Sequence, residues 1–112
     1  AYKRSRPGGL VDKAAEHVLR TGGGEYEMLP YAPYGYDERQ YGSPGFNIAA
    51  GCFMKSPPGT FAEYHSSADN LDLVRPEYLA DSFAQCLDII HVLECDGVYA
   101  SLNPHCEPML GK

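Results

Sequence analysis

The sequence lacks several patterns that identify common kinds of functional site. No Gly-x-Ser-x-Gly segment occurs, so the nucleophile turn of the α/β-hydrolases is absent. The run Gly22-Gly23-Gly24 lacks the lysine and the hydroxyl of a phosphate-binding loop. The four cysteines form no Cys-x-x-Cys pair and no zinc-knuckle spacing. The sequence therefore predicts none of these sites.

Basic residues are scarce. Nine lysines and arginines face fifteen aspartates and glutamates, which gives a formal net charge of −6. Proteins that bind nucleic acid usually carry a basic stripe. The one basic cluster, Lys3-Arg4-Ser5-Arg6, is short and could form a small binding patch. The charge balance nevertheless predicts no nucleic-acid partner for this segment.

Long apolar runs are also missing. No stretch of roughly 18 apolar residues occurs, and there is no signal-peptide pattern, so we predict no membrane association. The cysteine pattern is typical of reduced thiols, which favours the cytoplasm. At 112 residues, with 44% hydrophobic and 21% charged residues, the chain is typical of one globular domain at most.

Local periodicity predicts the first elements. Apolar residues at helical spacing predict an amphipathic helix over residues 10–20, with Asp12 on its polar face and glycines 22–24 at its end. Residues 25–29 alternate enough to predict a short strand. The continuous apolar run over residues 48–54 predicts a strand buried on both faces.

A second helix is predicted to begin at Pro76 and to end at Gly97. One apolar stripe runs along it, and Cys86 on this stripe is expected to act as a small hydrophobic residue. The stripe comprises Leu79, Phe83, Cys86, Leu87, Ile90 and Leu93. The order of elements predicts part of an α/β layer structure over residues 1–97, and residues 98–112 are predicted to be a tail or connector.

Two irregular segments follow the predicted strands. Residues 30–47 are rich in Pro, Gly and Tyr, and residues 55–75 carry a Pro-Pro-Gly turn and His65. Long loops in compact domains are usually functional or disordered. In α/β sheets, binding sites form on loops beyond the carboxyl ends of strands. We therefore expect functional residues in both loops.

His65 is the first candidate. Imidazole is a good zinc ligand, and a metal-bound histidine normally donates its second N–H to a carboxylate or carbonyl. Asp69 lies four residues further along and could provide that support. On local composition alone, however, a solvent-exposed histidine in a polar loop is the simpler interpretation.

Asp37 and Glu38 are adjacent carboxylates in the tyrosine-rich loop. They could supply a metal ligand, a general base or an anchor for a substrate ammonium group, or they could be an exposed charge cluster. Arg39 could bind a carboxylate or carbonyl oxygen, or fix the loop to its own backbone. Nearby tyrosines could line a substrate pocket or pack into the core. They are Tyr31, Tyr34, Tyr36, Tyr41 and Tyr64.

Two long segments, residues 34–47 and 63–72, resemble a bacterial family of aminopeptidase-like proteins. That family is distantly related to the di-zinc aminopeptidases and the glutaminyl cyclases. Residues 103–112 resemble the family's connector towards a C-terminal winged-helix domain. The resemblance implies an α/β fold: the C-terminal portion of a three-layer αβα zinc-exopeptidase-like sandwich with a central, mostly parallel sheet.

The resemblance also implies a metal ligand. In the wider zinc peptidase group, a Tyr-His-Thr-x-x-Asp segment supplies the final metal-binding histidine. The segment from Tyr64 to Asp69 is similar, with Ser66 in place of the threonine. By this resemblance His65 is a zinc ligand, and the Asp69 carboxylate accepts a hydrogen bond from its second N–H.

Further roles follow from the same resemblance. Asp37-Glu38 takes the place of an Asp-His pair, so Glu38 departs from the pattern, and both are expected to act in catalysis. Substrate contacts are expected from Arg39, Tyr36, Tyr41 and Tyr64. The group's remaining residues are an upstream histidine, a bridging aspartate, a general-base glutamate and another acidic ligand. No segment before residue 37 matches them.

The expected function is part of a zinc-dependent aminopeptidase-like hydrolase. Its substrate would be a peptide or an amino-acid conjugate, and this segment alone would be inactive because one protein ligand holds zinc weakly. A homo-oligomer is also possible. Two alternatives are a non-catalytic binding or scaffolding domain of the same fold, and a glutaminyl cyclase-like acyltransferase.

Overall fold

A computed structural model describes residues 1–6, 9–33 and 37–102. Within these ranges there are three short strands and three helices, which are β1 (Tyr2–Lys3), α1 (Leu10–Thr21), β2 (Met28–Leu29), α2 (Asp37–Tyr41), β3 (Cys52–Phe53) and α3 (Pro76–Cys95). The sheet has the order β2-β1-β3, with β1 parallel to β2 and antiparallel to β3. The fold is therefore α/β with a small mixed sheet.

The sheet does not show the mostly parallel arrangement expected of the complete domain. It has one parallel and one antiparallel pair, each two residues long. The three-layer sandwich stays a prediction. In the described ranges, no helix has the length and apolar character needed to cross a membrane.

Helix α1 forms where its periodicity predicts. Ala14, Ala15, Val18 and Leu19 are buried on one face, and the basic Arg20 lies in the last turn, where a cation favours the helix dipole. The helix ends at Gly22, whose backbone N–H donates to the Val18 carbonyl at 2.9 Å. Together with Tyr2 and Ile89, the buried side chains of α1 form the core.

Asp12 is buried, and its prediction as a residue of the polar face of α1 is wrong. Its side chain is only 3% exposed. One carboxylate oxygen, Oδ1, accepts hydrogen bonds from Tyr2 Oη at 2.9 Å and from the Ser5 N–H at 2.8 Å. The other, Oδ2, accepts one from Ser5 Oγ at 2.8 Å. A buried carboxylate is tolerated when donors replace its lost water, and β1 with the residues after it brings those donors to α1.

Tyr2 lies directly against the backbone of Gly51. A Cβ atom placed on Gly51 would lie 1.9 Å from Tyr2 Oη, so only glycine allows this contact. Burial raises the pKa of the Tyr2 phenol above its ordinary value, and the hydrogen bond to Asp12 adds to the effect. The ring therefore connects β1, α1 and the segment that leads into β3.

The strands are shorter than predicted. The segment expected over residues 25–29 is a strand only at Met28–Leu29. The run expected to be a buried strand over residues 48–54 is a strand only at Cys52–Phe53, and Ile48 is exposed. The reason is that β1 offers ladder partners to only two residues on each side.

A five-residue helix, α2, lies in the loop that was predicted to have no regular structure. It occupies the break between Pro33 and Pro44, where the sequence Asp37-Glu38-Arg39-Gln40-Tyr41 contains no glycine or proline. The two acidic residues lie in its first turn, where negative charge is favourable. The Gly42 N–H donates to the Glu38 carbonyl at 2.8 Å and continues the turn.

Helix α3 begins at Pro76 as predicted and ends at Cys95. Most of its apolar stripe does not pack into the core. Ile89 is the residue that is buried against α1, with Val92 and Leu93 partly buried beside it. Five members of the stripe are exposed: Leu79, Phe83, Cys86, Leu87 and Ile90. Helix α1 contacts a neighbouring face of α3, so the stripe points elsewhere.

Candidate functional site

A pocket of about 330 Å³ lies between α2 and the edge of the sheet. The structure brings three of the predicted site residues together there, namely Asp37, Glu38 and Tyr41. The opposite wall comes from the strands and the segment before β3. Its residues are Lys3, Ala50, Gly51 and Cys52.

The basic cluster near the N-terminus helps to fix α2. The Arg6 guanidinium donates to the Gly42 carbonyl just beyond the helix. From the other side, the Ile48 N–H donates to the Tyr41 carbonyl at 2.8 Å. Arg4 is paired with Glu16 of α1 at 2.9 Å. These contacts indicate a structural role for Arg4 and Arg6, which were considered as a binding patch.

Lys3 and Cys52 line the pocket although neither was predicted as a site residue. They are directly opposite each other in the antiparallel pair of β1 and β3. Successive strand residues point to opposite faces of a sheet, so burial of Tyr2 places Lys3 on the other face. The alternation of strand side chains predicts that Lys3 faces the pocket only if Tyr2 is already known to belong to the core.

The pocket carries more negative than positive charge. Two carboxylates, from Asp37 and Glu38, face one ammonium group from Lys3. Such a balance favours a cationic group of a ligand over an anionic one. The Tyr41 phenol adds an aromatic surface with a hydrogen-bonding tip. The pocket therefore suits a small ligand group that combines an ammonium with apolar atoms.

His65 lies on a separate loop built from consecutive turns. The Ser66 N–H and Oγ both donate to the Glu63 carbonyl, at 3.0 and 2.8 Å. The Asp69 N–H donates to the Ser66 carbonyl at 3.2 Å. His65 is exposed and has a φ of 56°, in the left-handed region that non-glycine residues rarely adopt. The turn thus holds the imidazole out into solvent.

Aromatic contacts orient this imidazole. The ring centroids of Tyr64 and His65 are 4.1 Å apart with an interplanar angle of 69°. Tyr64 in turn packs edge-on against Phe61, with centroids 5.6 Å apart. Edge-to-face packing of this kind restricts ring rotation. Tyr64 therefore acts on His65 and does not line the pocket beside α2.

The predicted site residues fall into two groups in the part of the chain that is described. Asp37, Glu38 and Tyr41 share the pocket, whereas His65 with Tyr64 and Asp69 belongs to the turn-rich loop. Among the described residues no hydrogen bond joins the His65 and Asp69 side chains, and the support expected from Asp69 stays a prediction. Arg39 is exposed on α2 outside the pocket lining, and Tyr36 lies outside the described residues.

The described residues do not by themselves fit a zinc ion. Within residues 1–6, 9–33 and 37–102, no three His, Cys, Asp or Glu side chains lie close enough together to hold a metal. A catalytic zinc normally has three protein ligands. His65 is accessible and held in a defined orientation, so it can offer one ligand. The remaining ligands would have to come from other residues.

Comparison with protein families places the fold in a known group. Residues 1–96 match a family described as "Domain of unknown function (DUF4910)". The chain belongs to the DUF4910 domain family. Since the match ends one residue beyond α3, the six elements found in the described part of the chain lie within the DUF4910 domain.

A curated relative of this DUF4910 domain comes from Clostridium acetobutylicum and is 46% identical over 112 residues. Its name is "Putative polysaccharide biosynthesis protein with aminopeptidase-like domain". The alignment covers 99% of this chain and 26% of the relative, so the chain spans about a quarter of the relative's length.

A crystal structure from the same organism has the same fold over this region. That protein is described as a "putative peptidase", and it is 44% identical with a TM-score of 0.83. The match covers 98% of this chain and 26% of the solved chain. The arrangement of strands and helices described above therefore also occurs inside a much longer polypeptide.

Proposed function

We propose that this DUF4910 domain forms part of an aminopeptidase-type site. In this proposal the pocket beside α2 receives the amino end of a peptide or amino-acid conjugate. The observation that carries it is the convergence of Asp37, Glu38 and Tyr41 on one pocket of about 330 Å³. The name of the Clostridium relative contains "aminopeptidase-like domain" and that of the solved structure contains "peptidase", and both support the same class of activity.

The proposed roles follow from the charges in the pocket. Asp37 and Glu38 would bind the substrate ammonium, because two carboxylates attract a cation more strongly than one lysine repels it. Tyr41 would pack against the first side chain of the substrate. Ligand pockets begin at roughly 300 Å³, so this one suits a terminal residue and not a long peptide. Arg39, Tyr36 and Tyr64 are proposed as contacts to parts of the substrate beyond this pocket, since Arg39 and Tyr64 do not line it.

We further propose that His65 is one ligand of a zinc ion in a longer chain. Its exposure and its contact with the Tyr64 ring support this role, since a ligand has to be accessible and oriented. Left-handed backbone at a non-glycine residue often occurs at functional sites. Asp69 would then rotate to support the ring. The other ligands, and the remaining layers of a three-layer αβα sandwich, would come from sequence outside this chain.

The test uses a chimaera in which this chain replaces the matching quarter of the Clostridium relative. We expect the purified chimaera to retain zinc. His65→Ala should lower its zinc affinity by at least about 10–100-fold, because that loss is already typical when a residue that only hydrogen-bonds to a metal ligand is replaced. Asp37→Asn should raise the KM for aminoacyl-p-nitroanilides, because it weakens binding of the amino end. Zinc content is measured by mass spectrometry and folding by thermal melting.

The matched control is His17→Ala, which removes an exposed histidine from α1 and should leave zinc content unchanged. Equal zinc in the His65→Ala and unsubstituted chimaeras would contradict the ligand assignment. Binding of peptides without hydrolysis or zinc would favour a non-catalytic binding domain. Release of ammonia from peptides with N-terminal glutamine would favour a cyclase-like acyl transfer.

A further inference from the structure

Helix α3 carries an apolar face that no described residue covers. We define the outer face of α3 as Leu79, Phe83, Leu87 and Ile90, which follow each other at intervals of four, four and three residues. This spacing places them on one side of a helix. All four are exposed, with Phe83 at 65% and Leu79 at 59%.

The inner side of the helix is already occupied. Ile89 is buried in the core with α1, and Val92 and Leu93 pack against it. Acidic residues such as Asp81 and Asp88 fall on a third side. A helix that is apolar on two of its three sides is typical of one buried between two layers. In the chain described here only one of those layers is present.

Apolar side chains just beyond α3 are exposed as well. Val98, Tyr99 and Leu102 are almost wholly exposed. Contiguous apolar patches above a few hundred Å² are rare on monomeric proteins and mark contact surfaces.

We infer that the outer face of α3 packs against the polypeptide that corresponds to the uncovered three quarters of the Clostridium relative. The fold of this chain recurs with a TM-score of 0.83 inside a chain of which it forms 26%. Polypeptide joined covalently has a high effective concentration and therefore competes well against a second, separate copy. The occupant is an apolar, uncharged surface of the same domain, since the outer face carries no charge.

The experiment places the same substitution in two contexts, the isolated 112-residue chain and the chimaera. In the isolated chain, Leu87→Glu should shift the Tm by about 1 °C or less, because the side chain is already exposed. It should also lower the binding of a hydrophobic dye. In the chimaera we expect a drop of roughly 5–10 °C, because a charge would then be buried without a partner.

Ala84→Glu is the matched control, since it adds the same side chain to the exposed, charged side of α3 and should lower the Tm only slightly, and equally, in both contexts. If the Leu87→Glu chimaera does not fold while Ala84→Glu does, the inference is supported, and Leu87→Ala then provides a measurable Tm shift. Equal, small shifts in both contexts would overturn it. Self-association of the isolated chain that Leu87→Glu abolishes, with a tolerant chimaera, would identify a second copy as the occupant and overturn it too.

These readouts are Tm, dye binding and molecular mass. They do not depend on zinc or on peptide hydrolysis. The inference about α3 can therefore fail while the proposed function stands, and the proposed function can fail while the inference stands.

Discussion

The corner where β1 meets α1 and the outer face of α3 place polar and apolar residues in opposite ways. At the corner a carboxylate, Asp12, is buried and accepts three hydrogen bonds. On the outer face, Phe83 and Leu87 are exposed to solvent. Burial in this chain is therefore decided by which partners are present, and the polarity of a residue alone does not predict it.

The regions that stabilise the fold also differ from those that carry the candidate functional residues. The corner is held by a network of side chains whose donors and acceptors are all paired, and it should be the most stable part of the isolated chain. The pocket and the His65 loop are held mainly by turns and by contacts to backbone carbonyls. We expect substitutions at the corner to reduce stability strongly and substitutions elsewhere to reduce it little.

The largest effect is expected for Asp12→Ala. It leaves Tyr2 Oη, the Ser5 N–H and Ser5 Oγ without their acceptor, and we expect a loss of about 3 kcal/mol in the free energy of unfolding. Urea denaturation of the isolated chain measures it. Asp88→Ala on the exposed side of α3 is the control and should change stability by less than about 0.5 kcal/mol. Equal losses at the two positions would remove the distinction between the regions.

Gly51→Ala should have the next largest effect. Its new Cβ would lie 1.9 Å from Tyr2 Oη, so the ring has to move and its bond to Asp12 is strained. We expect a loss of about 2 kcal/mol, a typical cost of overpacking. Gly24→Ala is the matched control because no atom lies within 4 Å of its added Cβ. That variant should be neutral or slightly more stable.

Alkaline pH should weaken the corner through Tyr2. Burial, and then the bond to Asp12, raise the pKa of this phenol above its ordinary value of 10.0. Above that pH the unfolded chain loses a proton that the folded chain keeps. Stability is therefore fully present below pH 10 and falls by about 1.4 kcal/mol per pH unit as the pH rises towards the folded-state pKa.

Tyr2→Phe tests this assignment. The variant loses one hydrogen bond at neutral pH, yet it should lack the part of the alkaline slope that comes from Tyr2. Denaturation midpoints between pH 8 and pH 11 measure the slope. If Tyr2→Phe loses stability with rising pH as steeply as the unsubstituted chain, the alkaline loss of stability comes from other groups.

The smallest effect is expected away from the corner, at the exposed pair of Lys55 and Asp81. The hydrogen bond from Lys55 is the main reason why the pKa of Asp81 is lowered, followed by the bond from Gln85. Lys55→Met should therefore raise the pKa of Asp81 towards its ordinary value, as measured by NMR titration. The Tm should hardly change, because exposed pairs contribute little to stability. A large fall in Tm would show that α3 depends on this pair.

The sequence predicts α1 and α3 well because their signals are local, whereas the short helix α2 was missed. Apolar spacing and the flanking Pro76 and Gly22 define α1 and α3 nearly to the residue. The burial of Asp12 could not be predicted, since its donors lie on Tyr2 and Ser5, ten and seven residues away. The orientation of α3 could not be predicted either, because periodicity does not say which apolar face meets α1.

The candidate site was predicted only in part. Asp37, Glu38 and Tyr41 were found because they are close in sequence and lie in a segment that resembles a known family. Lys3 and Cys52 were missed because they are 49 positions apart and meet only through the register of β1 and β3. The separation of His65 from the pocket lining could not be foreseen, since it depends on the path of the loop.

The contact between Gly51 and the Tyr2 ring restricts how the two positions can change during evolution. A side chain at position 51 has no room while position 2 is a tyrosine. A homologue that carries alanine or a larger residue at position 51 should therefore carry a smaller residue at position 2, and its position 12 should no longer be acidic. The three positions should covary across the DUF4910 family.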